Sequence, residues 1–272
     1  MWKSKNIRLF WWSESILMDK PKENYGDVLG KYLVEKISNR KVLWANPKKF
    51  SIRDFWQPIY VTAGSILAHV NKKCIVWGSG IIQENQIVKP AKFLAVRGPE
   101  TRRVLMKQGH EVPEVYGDPA LLLPKFYNPK IDKKYKLGII PHYVDYKFVV
   151  EHYANRKDVL IINLMTNNIE ATTDKILQCK RIVSSSLHGV IVSHAYQIPA
   201  VCIKFSNKLF GDGIKFKDYF MSALIKPYVP NTVESSPSDL NIESLFNSEI
   251  ELPSQDQINK LQQGLMKVCP FI

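Results

Sequence analysis

The sequence predicts an α/β protein made of two Rossmann-like halves that face each other across a ligand cleft. Short apolar stretches ending in glycine turns alternate with helical stretches, which is typical of parallel sheets covered on both faces. This alternation occurs twice in the 272 residues, on either side of a proline- and lysine-rich linker at 124–136. Ligands of such sheets bind outside the carboxyl ends of the strands. Two domains, 1–124 and 125–272, therefore predict a site in the cleft between them.

The first half begins with a strand in KNIRLFWW, and the amphipathic pattern of VLGKYLVEKIS predicts the helix that follows. A short strand, KVLWA, comes next. Apolar strands with glycine turns then recur, and Gly109 marks the end of one predicted helix. These units are IYVTAGSILAHV, KCIVWGSGII, KFLAVRGPETRRVLMKQG and EVYGDPALLLP.

The second half repeats the alternation of strands and helices. Its predicted strands are LGIIPHYVD, DVLIINLM, RIVSSS and PAVCIKFS, and the helices between them are KFVVEHYANR, NIEATTDKILQCK and LHGVIVSHAYQ. The glycines of GDG at Gly211–Gly213 predict a turn into a short helix, KFKDYF. PSQDQINKLQQGLMKV is expected to be a closing amphipathic helix.

The charge balance favours anionic partners. Lys and Arg number 38 against 25 Asp and Glu, a net charge of +13, which suits nucleic acid, phosphorylated substrates or an anionic membrane. The basic residues are scattered, without an arginine-rich arm or a recognition-helix pattern, so no nucleic-acid partner is expected. Four well-separated cysteines and the lack of HxH, HExxH or DxD patterns predict no metal site.

A cytoplasmic location is expected. Unpaired cysteines fit a reducing compartment, no apolar run reaches the length of a transmembrane helix, and the first residues do not resemble a signal peptide. Loose attachment to the inner face of the plasma membrane is an alternative, to which Trp11 and Trp12 could contribute. An FWW sequence at a strand end is, however, more typical of a core or a cleft wall.

The stretch SSSLHG, Ser184 to Gly189, predicts an anion site. The serines fall where a strand ends and a helix begins, and the free N–H groups and dipole of a helix N-terminus attract anions. A single serine there is more often a helix cap, but the combination with His188 and Gly189 favours binding. His194 lies on the far side of the helix and is expected to be structural.

Other polar residues also follow predicted strands, and they point to the same rim. NYGD, Asn24 to Asp27, precedes a helix, and its aspartate is as typical of a helix cap as of a catalytic base. Arg97 follows a strand and suits a carboxylate or phosphate, which a guanidinium can bind through two hydrogen bonds. Asp118 and His142 follow two further strands.

An ordered series of these stretches resembles the polysaccharide pyruvyl transferase family. The matching stretches are NYGDVLG, GSIL, WGSGI, AVRGPETRRVL, VYGDPALLLP, GIIPHYVD and SSSLHGVIVSHAYQIPAV. The resemblance implies a GT-B-like fold, phosphoenolpyruvate as donor, and a saccharide acceptor that receives pyruvate as a cyclic ketal. It implies no cofactor beyond the donor. Whether the acceptor is lipid-linked does not follow from the sequence.

The resemblance carries over two residues, His188 of SLHG and Arg97 after its strand, and the chemistry of the implied donor suggests roles for the others. His188 is expected to be the acid, or the phosphate ligand that supplies a proton to the leaving group, and Asp27 the base on the sugar hydroxyl. Arg97 is expected to hold the carboxylate or phosphate. The further contacts expected for phosphoenolpyruvate are Ser185, Ser186, Gly189, His142 and Lys204. Those expected on the acceptor side are Asn24, Tyr25, Gly26 and Asp118.

Two alternatives stay open. A GT-B-type glycosyltransferase that uses a nucleotide sugar would have the same architecture. A binding module for nucleic acid or an anionic membrane would rest on the charge alone. The acceptor sugar, its two hydroxyls and the oligomeric state do not follow from the sequence.

Overall fold

A computed structural model describes residues 5–233, 245–246 and 252–272 as a mixed α/β protein. These residues form two five-stranded parallel sheets and one small two-stranded sheet. The strands are β1 (Asn6–Phe10), β2 (Glu23–Asn24), β3 (Lys41–Trp44), β4 (Ile59–Val61), β5 (Cys74–Trp77), β6 (Lys92–Ala95), β7 (Tyr135–Ile140), β8 (Val159–Ile161), β9 (Met165–Thr166), β10 (Cys179–Ser184), β11 (Ala200–Lys204) and β12 (Asn231–Thr232). The helices are α1 (Glu14–Met18), α2 (Tyr25–Ser38), α3 (Pro99–Lys107), α4 (Leu123–Phe126), α5 (Tyr146–Tyr153), α6 (Ile169–Leu177), α7 (Leu187–Ala195), α8 (Ile214–Ser222) and α9 (Gln255–Lys267).

The two large sheets share one strand order. The first is β3-β1-β4-β5-β6 and the second is β12-β11-β10-β7-β8. Numbered along the chain within each sheet, and read from the appropriate edge, both orders become 2-1-3-4-5, which is a doubly wound order. The order reverses between β1 and β4 in the first sheet and between β7 and β10 in the second, and ligands bind at such reversals.

Helix α2 illustrates how the local sequence sets an element. The side chain of Asn24 accepts a hydrogen bond from the N–H of Gly26 and caps the helix, whose C-terminus ends at Asn39 in a left-handed conformation with φ of 50°. Leu29 and Leu33, one helical turn apart, are fully buried. The helix therefore begins three residues earlier than the sequence pattern VLGKYLVEKIS predicts, and Asp27 lies in its first turn.

Most predicted strands and helices are confirmed, with three differences. The strand expected in DVLIINLM divides into β8, in the second large sheet, and β9, in the two-stranded sheet. The helix expected in SILAHV is one 3-10 turn, Leu67–His69, because β5 already begins at Cys74. The strand expected in EVYGD is reduced to a single bridge between Val96 and Tyr116, and a 3-10 helix at Pro119–Leu122 follows.

Several contacts join the two halves of the chain. Strand β2 pairs with β9 in antiparallel fashion, and one apolar cluster contains core residues from both large sheets, such as Leu9 and Ile182. The predicted closing helix, α9, is confirmed and returns to the first sheet, where the carbonyl of Leu265 accepts a hydrogen bond from Trp77 at 2.9 Å. In the described part of the chain, no helix combines the length and apolarity that a membrane crossing requires.

Candidate active site

A pocket of about 530 Å³ lies at the carboxyl ends of both large sheets. It is lined by residues that follow the strands at which the order reverses, namely Trp12 after β1, Ser65 after β4, His142 after β7 and Ser186 after β10. Asn24, Asp27, His188 and Lys215 are the further polar residues of its wall that matter below. The pocket thus lies where the strand order of both sheets predicts a ligand.

Helices α2, α7 and α8 begin at this pocket. Asn24 caps α2, Ser186 precedes α7, and Lys215 is the second residue of α8. The first N–H groups of a helix have no partner within it, and the dipole makes this end positive. Convergence of helix N-termini favours a negatively charged ligand in the pocket.

His188 lies in the first turn of α7, between the pocket and a buried carboxylate. Its Nε2 is enclosed and faces the Oδ2 of Asp118 at 3.5 Å, and neither atom has another hydrogen-bond partner. The Asp118 side chain is fully buried, whereas 13% of the His188 side chain remains exposed. Asp118 therefore orients the His188 ring at the pocket wall. The structure does not bring Asp118 itself to the pocket wall, where the acceptor was expected.

Gly26 makes room for the His188 ring. A Cβ atom at this position would lie only 2.1 Å from His188 Nδ1, so a side chain here would displace the imidazole. Tyr25, the preceding residue, is fully buried, and its hydroxyl pairs with Thr173 at 2.8 Å. The predicted base Asp27 and the predicted acceptor contact Asn24 therefore line the pocket, whereas Tyr25 and Gly26, also expected to contact the acceptor, pack behind it.

Asp27 is an unusual carboxyl group. Burial raises the pKa of Asp27 to about 7, while the charge of His188 opposes this rise. A carboxyl with this pKa can accept or donate a proton near neutral pH. Glu14, on the same side of the pocket, is instead ion-paired with Lys20 at 2.6 Å.

Lys215 is a functional candidate that the sequence reasoning missed. It lines the pocket from the first turn of α8, where burial and the positive charge of Arg97 lower the pKa of its ammonium group. An anion in the pocket would offset both effects. The signal in the sequence was the GDG turn before KFKDYF, which places a helix N-terminus and a lysine side by side.

The three serines of SSSLHG have different surroundings. Ser184 and Ser185 are fully buried, and the hydroxyl of Ser185 accepts a hydrogen bond from the N–H of His142 at 2.8 Å. Ser186 lines the pocket, and its side chain does not cap α7. Gly189 faces the protein rather than the pocket, because a Cβ there would lie 2.4 Å from the hydroxyl of Ser184. The predicted anion site therefore narrows to Ser186, His188 and the backbone of α7.

Arg97 lies behind the pocket wall. Its side chain is fully buried and donates to Asp218 at 3.0 Å, to the hydroxyl of Ser65 at 2.6 Å and to the carbonyl of Ile81 at 2.8 Å. Ser65 lines the pocket, and Asp218 lies on α8, one turn after Lys215. The guanidinium thus fixes two parts of the wall without facing the pocket as the sequence led us to expect.

The remaining predicted residues fall on both sides of the wall. His142 lines the pocket, and burial lowers its pKa to about 4, so it is a neutral hydrogen-bonding group at pH 7. Lys204 lies in a neighbouring pocket.

His194 is structural, as predicted, since it is buried and hydrogen-bonded to Tyr219 at 2.9 Å. Trp11 is part of the core and Trp12 is a pocket wall.

Among residues 5–233, 245–246 and 252–272, no group of three or more His, Cys, Asp or Glu side chains is arranged to hold a metal ion. The described cysteines are unpaired, and Cys74, Cys179 and Cys202 are buried.

Comparison with known proteins agrees with the resemblance seen in the motifs. A family model described as polysaccharide pyruvyl transferase matches residues 24–207. This range includes Asp27, Asp118 and His188 but ends before Lys215. An uncharacterized protein of Acanthamoeba polyphaga mimivirus is 34% identical over 207 residues, which cover 72% of this chain and 69% of the relative.

Proposed function

Because the chain belongs to the polysaccharide pyruvyl transferase family, we propose that it transfers the enolpyruvyl group of phosphoenolpyruvate to two hydroxyls of a saccharide. The product is a pyruvate ketal on a building block of a cell-surface polysaccharide or exopolysaccharide, and phosphate is released. The family supports a transferase with a saccharide acceptor. The observation that supports the donor is the pocket, where Lys215, His188 and the N-termini of α2, α7 and α8 surround one hollow.

Phosphoenolpyruvate carries a phosphate and a carboxylate, so its site needs hydrogen-bond donors at two ends. Ser186 and the first N–H groups of α7 provide one set, and an anion at this position has the dipole of α7 behind it. Lys215 provides a cation at the second end. His142, neutral at pH 7, adds a hydrogen-bonding group that carries no charge.

The ketal chemistry requires both an acid and a base. A proton is added to the methylene carbon, which makes C2 electrophilic, and one sugar hydroxyl attacks C2. The C2–O bond to phosphate then breaks, and the second hydroxyl closes the ring. The two hydroxyls release two protons, of which one replaces the proton taken by the methylene carbon and the other leaves with phosphate.

His188 and Asp27 fit the acid and base roles. His188 lines the pocket from the first turn of α7, and the carboxylate of Asp118 at 3.5 Å orients its ring. Asp27 has a pKa of about 7, so near neutral pH it can accept a proton from a hydroxyl. Hydroxyl activation at the start of α2 and proton supply from the start of α7 would bring both steps to one pocket.

The proposal keeps the arrangement predicted from the sequence, with 1–124 on the acceptor side and 125–272 on the donor side of a GT-B-like cleft. The shared strand order and the location of the pocket at both order reversals support this arrangement. The return of α9 to Trp77 means that the last helix, although part of 125–272, packs on the acceptor side.

Thermal denaturation with candidate donors tests the donor. A ligand that binds the native state raises the melting temperature, so phosphoenolpyruvate should raise it and a panel of nucleotide sugars should not. Lys215→Gln should weaken the response, whereas Lys204→Gln is the matched control outside this pocket. Stabilisation by a nucleotide sugar alone would favour the glycosyltransferase alternative.

Turnover is the direct test of the reaction. The protein is incubated with phosphoenolpyruvate and a panel of acceptor glycosides, and released phosphate is compared with the mass gain of the sugar. Equal amounts of phosphate and ketal product are expected. Phosphate release without a modified sugar would show a hydrolase and contradict the transfer.

A further inference from the structure

Large apolar side chains face solvent on the segment between β3 and β4, residues 46–58, which we call the aromatic loop. Phe50, Ile52, Phe55 and Trp56 are 74%, 67%, 76% and 62% exposed. The rings of Phe50 and Phe55 meet edge-on, with centroids 6.0 Å apart. Soluble proteins rarely expose such a group of neighbours unless it meets a protein or a membrane.

Buried polar contacts hold this loop in place. Asp54, whose side chain is 4% exposed, is ion-paired with Arg8 of β1 at 2.6 Å and with Lys73 at 2.7 Å. Ser51 and Asp54 also form a capping box on the 3-10 helix Ile52–Phe55. The loop backbone is therefore fixed to the first sheet from its polar side, and its apolar side chains are directed outward.

Basic side chains surround the apolar group. Lys48, Lys49 and Arg53 are exposed on the loop itself. Lys72 is exposed on a neighbouring turn, which the side chain of Asn71 ties to the carbonyl of Pro47 at 2.7 Å. The acidic residue of the loop, Asp54, is already paired with two cations. The exposed face of the loop is thus apolar and positively charged.

We propose that the aromatic loop docks the protein on an anionic phospholipid surface. Aromatic and aliphatic side chains would enter the headgroup region, and the lysines and arginine would meet lipid phosphates. Interfaces between proteins are depleted of lysine, whereas this face alternates lysine and arginine with aromatic residues. The net charge of +13 attracts the whole chain to the same surface.

This surface differs from the membrane contact suggested by the sequence. Trp11 is buried and Trp12 lines the pocket, so this tryptophan pair does not form an exposed membrane anchor. The aromatic loop is independent of the proposed reaction, because none of its residues lines the pocket.

Flotation with lipid vesicles tests the proposal on the full chain. Binding is expected to vesicles of phosphatidylcholine mixed with phosphatidylglycerol and to fall steeply with added salt. The double substitution Phe55→Ser and Trp56→Ser should reduce binding about tenfold or more. Lys48→Gln and Lys49→Gln should each reduce it about fivefold. Ile87→Ser, which replaces an 82% exposed side chain outside the loop, is the matched control and should bind normally.

Quenching of tryptophan fluorescence by brominated lipids locates the contact. Quenching in the parent protein should decrease in Trp56→Phe, since this ring is placed in the lipid. Absence of vesicle binding, or equal binding by the parent and the Phe55→Ser/Trp56→Ser variant, would overturn the proposal. So would self-association in sedimentation experiments that the same double substitution abolishes while vesicles remain unbound, because the loop would then bind a second copy.

Discussion

The two large sheets have the same strand order but present different chemistry at their carboxyl ends. The first sheet and its connections contribute Trp12, Glu14, Asn24, Asp27 and Ser65 to the pocket, while the second contributes His142, Ser186, His188 and Lys215. The acidic groups thus lie on the wall from the first half, whereas Lys215 and the hydrogen-bonding groups of the wall from the second half suit an anion. The strand order therefore fixes where the pocket lies, whereas the residues after each strand decide what it can bind.

The walls do not act separately. His188, from the second half, packs on Gly26 of the first and faces Asp118, which is also of the first. Arg97 of the first half holds Asp218 on α8 of the second. Each wall is therefore held in place by residues of the other half. Substitutions at these contacts show whether a residue acts in the reaction or only holds the two walls together.

Removal of His188 is the strongest test of the donor wall. His188→Ala should lower kcat about 100- to 10,000-fold, because general acid catalysis contributes on this scale. Phosphate release measures the rate, and circular dichroism verifies the fold. Turnover within a few-fold of the parent protein would remove His188 from the chemistry.

Disruption of the buried ion pair between Arg97 and Asp218 should lower the stability of the fold. Asp218→Ala leaves a fully buried guanidinium without its partner, so the free energy of unfolding should fall by about 3–5 kcal/mol. Asp158→Ala removes the half-exposed partner of Arg156 and is the control, with an expected loss below about 1 kcal/mol. Urea denaturation measures both. Similar losses in the two variants would contradict a structural role for the buried pair.

The sequence predicted the rim of the pocket better than the direction of its side chains. Strand ends are visible as apolar runs, so Asp27, His142 and Ser186 were found at the pocket. The partner of Arg97 lies 121 residues away in the chain, and no local pattern shows that Asp218 already engages the guanidinium. Asp118 was found at the rim for the same local reason, but its burial behind His188 depends on tertiary packing.

Lys215 was missed for a related reason. It follows a glycine turn at the start of a helix rather than the end of a strand, and α8 reaches the pocket by packing on α3 of the first half and on α7. Such packing between distant segments cannot be inferred from hydrophobic periodicity. The local signal was a lysine two residues after the GDG turn, in the first turn of a helix.

Substitution of Lys215 should have a moderate effect on donor binding. Lys215→Gln should raise KM for phosphoenolpyruvate about 10- to 100-fold, the range of a charge-assisted hydrogen bond, with a smaller change in kcat. Lys204→Gln removes an equal charge next to the pocket and should leave KM within a few-fold. Initial rates against donor concentration separate the two. Equal effects would mean that general charge, rather than a contact, attracts the donor.

The acidic wall has the smallest expected effect on stability, with a distinct pH dependence. The pKa of Asp27 is raised from 3.8 to about 7, so the native state favours the neutral form. Stability from this group is fully present below about pH 4 and is lost as pH rises through 7. Asp27→Asn keeps a neutral group at every pH. The variant should therefore melt a few degrees above the parent protein at pH 8 and close to it at pH 4.

Activity should change in the opposite sense to stability. If Asp27 is the base, kcat/KM of the parent protein rises with pH through about 7, where the carboxyl loses its proton. Asp27→Asn should abolish this rise together with most of the turnover. Glu14→Gln is the control, since Glu14 lines the same wall but is already ion-paired with Lys20. An Asp27→Asn variant that is more stable at pH 8 yet fully active would confirm that burial raises the pKa of this carboxyl but would show that it is not the base. The two measurements together therefore decide whether the acidic wall takes part in the reaction.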